Sequence, residues 1–175
     1  MSKAVLISIR PDWVEKILSG EKTLEVRKTR PKLEAPFKVY IYCTAGNLSY
    51  EVNNGMMCNI SGGKIVVGEF VCDKITWLTH IGFSGLPGIR LAAMYDRYTI
   101  DGSFDFSESC LTAPQIEKYL GGKDGYAWHI SGLKVYDNPL ELTAFRKPEL
   151  PTGLRYEEDA IKRPPQSWFY VEELK

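Results

Sequence analysis

No apolar run in this chain approaches the ~20 residues that a membrane-spanning helix needs. Histidine is scarce, with only His80 and His129 present, which leaves little from which to build a histidine-based metal site. The four cysteines (Cys43, Cys58, Cys72, Cys110) include no C-x-x-C pair, a spacing poor for zinc and undiagnostic for disulfides. Cys43 and Cys72 fall inside strand-like runs, where free cysteine behaves as a small buried hydrophobe. Net charge is missing too, with 22 basic against 22 acidic residues. Proteins that live on non-specific duplex contacts carry a positive excess. A Gly-rich phosphate loop, G-x-S-x-G and H-E-x-x-H are all absent. Neither a metal nor a cofactor is therefore expected. The opening MSKAVLISIRP lacks the long apolar stretch and small-residue cleavage site of a secretory leader. It reads as the first strand of a cytoplasmic protein.

What is present is an ordinary globular composition, 44% hydrophobic and 25% charged over 175 residues, enough for one domain with a single core. Residues 4–9 alternate as a strand. Pro11 and Asp12 suit a helix start, and Trp13, Val14, Ile17 and Leu18 recur at helical spacing before Ser19-Gly20 stops the helix. Residues 37–44 (FKVYIYCT) form the next strand. Residues 45–63 read as a long loop, in which Met56 and Met57 are candidates to cover a cleft or touch a partner. Residues 64–78 are too long for a plain strand, and Gly68 predicts a bulge within it. Alternation puts Val67, Glu69 and Val71 on one face, so Glu69 needs a partner. Residues 80–110 carry no clear assignment. Thr112-Ala-Pro-Gln115 resembles a capping box opening a short helix. Residues 126–136 follow as a strand with a possible kink at Gly132, then a proline-bearing surface connection over 137–163, and a closing strand at 167–171. These elements predict an α+β, barrel-like domain of five or six mostly antiparallel strands with two or three short helices.

The segment GEKTLEVRK (residues 20–28) gathers five charged side chains. Leu24 and Val26 alternate with Glu25 and Arg27, the pattern of a strand with one apolar face. Residues two apart on a strand lie roughly 6.5 to 7 Å apart, so Glu25 and Arg27 can grip one small polar object, with Lys22 and Thr23 in the turn before it. Basic charge concentrates here: Lys22, Arg27, Lys28, Arg30, Lys32 and Lys38 stand against Glu25 and Glu34. A lysine-guarded strand edge is the plain alternative to a binding patch, and a mutual Glu25–Arg27 ion pair, or one with Glu69, is the plain alternative to a site.

Five stretches together resemble an ASCH domain of the PUA-like superfamily, of the kind common in bacteria and phages: LISIRPDWVEKILSGEKTLEVRK, VYIYCT, VVGEFV, YLGGKDGYAWHI and RPPQSWFYV. The G-x-K-x-x-E-x-R element (Gly20, Lys22, Glu25, Arg27) is the most specific piece. The resemblance implies one domain over 1–175, with variable loops near 45–63, 80–110 and 140–163, and a small β-barrel with a cleft beside the first helix. It also implies an association with RNA. Some compact ASCH proteins hydrolyse an acyl amide on modified cytidine, using a lysine at the Lys22 position to assist a threonine three residues on, where this chain has Glu25. Lys22, Glu25 and Glu69 are the candidate catalytic residues.

These residues suit two main functions. The first is a binding module for RNA or a nucleotide-like ligand, using Lys22, Thr23, Glu25, Arg27, Thr44, Glu69, Trp128, Ser167 and Trp168. Arg27 would supply a planar fork, and Tyr40 or Tyr42, Trp128 and Trp168 would stack bases unless they are core. The second is a small hydrolase, an amidohydrolase or a ribonuclease, with Thr23, Thr44 or Ser167 as its hydroxyl. A protein-interaction domain is a third reading, with no partner indicated.

Overall fold

A computed structural model describes residues 2–52, 55–82, 89–148 and 160–174, with nothing said of the Ile89 side chain. Its elements are β1 (Lys3–Ile9), α1 (Pro11–Leu18), β2 (Leu24–Arg27), β3 (Phe37–Cys43), β4 (Leu48–Glu51), β5 (Met57–Ile60), β6 (Ile65–Gly82), β7 (Ile89–Met94), α2 (Ala113–Leu120), β8 (Gly125–Leu140) and β9 (Trp168–Glu172). Short 3-10 turns lie at Phe106–Ser109 and Leu142–Ala144. One sheet runs β2-β8-β6-β3-β1-β9, with β7 added to β6, and β4-β5 form a separate hairpin. Among the described residues only β1 and β3 pair in parallel. The fold is the expected α+β type.

Strand alternation explains the core. Val5, Ile7 and Ile9 of β1 join Val39 and Ile41 of β3 beneath Val14 and Ile17 of α1. The intervening Ala4, Leu6, Tyr40 and Tyr42 pack the opposite face against Phe145 and Val171. Leu24 and Val26 of β2 lie under Ile116 and Leu120 of α2. The capping box at Thr112 is formed, with Gln115 Oε1 accepting from the Thr112 backbone N–H at 2.8 Å.

Two expectations need correction. The loop over 45–63 contains the β4–β5 hairpin, whose four-residue strands are too short to stand out among Gly and Asn. Within 80–110, β7 pairs the end of β6, so the chain has nine strands among its described residues where five or six were expected. Residues 53–54, 83–88 and 149–159 of the variable stretches lie outside the described residues. The bend in β6 does fall at Gly68: a Cβ there would sit 2.6 Å from Lys134 O of β8, so only glycine admits that approach. Register slips around it, between Val66 and Gly68. The extra residue shifts the phase, so Val67 joins the inner core while Glu69 turns outward beside Tyr40, not onto the same face as Val67.

Candidate functional site

The sheet path has two ends, β2 and β9, and side chains bridge the gap between them. Arg27 donates from NH2 to the Ser8 carbonyl at 2.8 Å and from NH1 to Ser167 Oγ at 3.3 Å. Trp168 Nε1 donates to Thr29 Oγ1 at 3.0 Å, and the Lys32 backbone N–H to Tyr170 OH at 2.7 Å. A cleft of about 580 Å³ opens at this seam, beside α1 and the C-terminal ends of the parallel β1–β3 pair.

Its wall is β2. All four β2 residues are buried, so the polar face of the strand is enclosed as well as the apolar one. Glu25 sits between two cations, 2.9 Å from Arg27 NH2 and 3.3 Å from Lys22 Nζ. Lys22 is only 2% exposed. Its ammonium also donates to Leu24 O at 2.6 Å and to Ser109 O at 2.7 Å. Two hydrogen bonds and an ion pair thus hold the ammonium, offsetting the cost of burying its charge. Arg27 is less completely paired: its Nε is buried without an acceptor. Two cations around one carboxylate leave a single positive excess in the wall, where weak solvent screening strengthens its field.

The rim adds polar and aromatic side chains. Arg10, Trp13, Gln115 and Tyr119 line the cleft with Ser8, Thr44, Pro165 and Ser167. Trp13 is half-buried, and its ring lies 5.5 Å from Lys22 Nζ. Tyr119 is 40% exposed at the end of α2. Burial raises its phenol pKa above the ordinary 10, against the opposing pull of Arg27, so the hydroxyl stays protonated at neutral pH. Counting the lining, Arg10, Lys22 and Arg27 face one carboxylate, Glu25. A larger hollow of about 850 Å³ on the other side of α1 has the opposite character, with Asp12, Glu15, Glu21 and Glu51 against Lys16.

The structure thus brings Lys22, Glu25, Arg27, Thr44 and Ser167 together at one cleft. Four other candidates lie elsewhere. Thr23 turns to Glu108, its Oγ1 donating to Oε2 at 3.2 Å. Glu69 is on the outer face, bound by Lys38 at 3.3 Å and by the Tyr136 hydroxyl. Trp128 is fully enclosed, packed edge-on between Phe37 and Trp168. Trp168 is half-buried in the β2–β9 seam, outside the cleft lining. Tyr40 and Tyr42 are buried in the outer core. Sequence reasoning missed Arg10, Trp13 and Tyr119 as cleft residues. Trp13 shares the helical stripe of Val14 and Ile17, and only its place at the stripe's edge marked it as different. Met56 and Met57 are exposed on the hairpin and do not line the cleft.

Among the described residues no helix is long and apolar enough to cross a membrane, and no three His, Cys, Asp or Glu side chains gather as a metal ion would require. No protein-family model and no curated protein sequence matches the chain. Solved structures do. The crystal structure of ASCH from Zymomonas mobilis is 20% identical, with a TM-score of 0.55, and the match covers 97% of this chain and 88% of that one. A tyrosine-to-phenylalanine mutant of the same protein matches at 20% identity and TM-score 0.55, covering 98% and 92% of the two chains. A serine-to-alanine mutant matches at 21% and 0.56, covering 97% and 89%. The near-complete overlap at these TM-scores shows that this chain has the ASCH fold.

Proposed function

We propose that the chain is a single ASCH-type domain that binds RNA or a nucleotide-like ligand in the cleft between α1, β2 and α2. The observation that carries this reading is the buried Lys22–Glu25–Arg27 cluster, with its positive excess set into the wall of a cleft rimmed by Trp13 and Tyr119. A phosphate would take the charge of Arg10 and Arg27, and a base would stack on an aromatic rim. Glu25 offers an acceptor and the Gln115 amide nitrogen a donor for a base edge.

Hydrolysis is the second reading. Thr44 and Ser167 are the hydroxyls in the cleft, and Ser167 Oγ accepts from Arg27. An activated hydroxyl is what this reading lacks: among the described residues neither Thr44 nor Ser167 is hydrogen-bonded to a carboxylate or amine base, and the Lys22 ammonium is held by two carbonyls and Glu25. Binding is therefore the better supported function.

Calorimetric titration of nucleoside monophosphates and short single-stranded RNAs tests it. Arg27→Lys keeps the charge but loses the planar fork, and we expect affinity to fall about tenfold, equivalent to ~1.4 kcal/mol. Equal affinity in wild type and variant would remove Arg27 from the site. Release of product from acylated cytidine or RNA that disappears in Lys22→Met would instead favour the hydrolase.

A further inference from the structure

The loop that leaves β2 continues the cleft outward. Lys28, Arg30 and Lys32 are exposed at alternate positions, while Pro31 between them is buried. The backbone of the loop is pinned to β9, through Thr29 Oγ1 to Trp168 and the Lys32 N–H to Tyr170. Aromatic rings hold two of the cations: Lys28 Nζ lies 5.1 Å from the Tyr119 ring and Arg30 lies 5.6 Å from the Tyr126 ring. Such contacts reduce the freedom that a cation must lose when it meets an anion. Among the described residues, Lys16, Lys22, Lys38 and Lys74 have carboxylate partners within ion-pair distance, whereas Lys28, Arg30 and Lys32 have none. Three exposed cations thus follow one another along a single loop, and the first of them meets Tyr119 on the cleft rim.

We propose that this row is a backbone track: Lys28, Arg30 and Lys32 take successive phosphates of a single-stranded polynucleotide whose end occupies the cleft. The inference rests on the nucleotide-binding reading of the cleft and narrows its ligand from a free nucleotide to a strand. The three charges recur at every second residue of one exposed loop, a series suited to a repeating anion. Tyr170, which anchors the far end, also lines a hollow of about 480 Å³ with Lys147, Lys162 and Arg163, so positive charge continues beyond Lys32.

The test compares UMP with oligouridylates of increasing length, on wild type and on the double variant Arg30→Gln/Lys32→Gln, across a salt series. These side chains are exposed and outside the cleft lining, so the fold and UMP binding should persist. Wild-type affinity should rise with length. For the longest oligomer the variant should lose about tenfold at physiological salt, with the log–log salt slope shallower by about 1.4, from ~0.7 per single-strand phosphate contact. Equal length dependence in the two proteins overturns the track while leaving the cleft reading intact. Absence of UMP binding in wild type overturns the cleft reading and the track with it. Polyglutamate binding that matches the oligouridylates in strength and slope would reassign the row to an acidic protein partner.

Discussion

Two charged networks sit on opposite faces of the same curled sheet. On the inner face, Lys22, Glu25 and Arg27 close around one carboxylate beside a cleft. On the outer face, Lys38 bridges Glu69 and Glu173, with Tyr136 bound to Glu69. Both place a carboxylate on a strand among apolar neighbours, and both read as candidate sites in the sequence. They differ in sign and in surroundings. The inner network has two cations per anion and a cavity; the outer has two anions per cation and none of its four residues lines one of the described hollows. A charge on a strand therefore marks a site only when space adjoins it and its field is uncompensated.

That contrast can be broken by mutation. The largest expected effect is on stability. Glu25→Ala leaves two buried cations facing each other and should cost about 3 to 5 kcal/mol in urea unfolding. Glu69→Ala, with its side chain partly in solvent, should cost clearly less, about 1 to 2 kcal/mol. Equal costs would erase the distinction between the two faces. Next comes binding: Trp13→Leu should weaken nucleotide affinity by about 1 to 3 kcal/mol through lost stacking, while Glu69→Gln should leave it unchanged. A matching loss in Glu69→Gln would bring the outer face into the site.

The smallest effect is a pH dependence on the outer face. The Ser2 hydroxyl, against the opposing penalty of burial and with help from Lys38, holds the Glu173 carboxyl below its ordinary 4.5. A depressed carboxylate contributes stability above the unfolded-state value and loses it as pH falls through the folded one. Glu173→Gln should thus be less stable than wild type by about 0.5 kcal/mol at neutral pH, and the gap should close as pH drops below 4.5. A gap that persists in strong acid would show that the carboxylate's charge contributes nothing.

Much of the framework was legible because local rules governed it. Pro11 and Ser19 bracket α1, Thr112 and Gln115 open α2, and Gly68 permits the close approach that bends β6. The G-x-K-x-x-E-x-R spacing located the wall of the cleft. What the sequence hid depends on tertiary placement. Both faces of β1 and β3 are buried, so alternation could not say which aromatics reach solvent, and Tyr40, Tyr42 and Trp128 proved to be core. The bulge at Val66–Gly68 moved Glu69 to the outer face, a one-residue slip that no period-2 pattern reveals. Tyr119 reaches the cleft only because α2 packs on Leu24 and Val26, a contact between segments about ninety positions apart.

The bridging role of Arg27 has a consequence for how such a protein can change over time. One side chain ties β2 to the carbonyl of Ser8 and the hydroxyl of Ser167, and also anchors Glu25. Selection for a new ligand cannot alter it without loosening the joint between the two ends of the sheet. Variation is freer at Arg10, Trp13, Gln115 and Tyr119, which meet the cleft from helices or their flanks and carry no part of that joint. Descendants of this fold should therefore diversify by exchanging rim residues around a conserved inner wall.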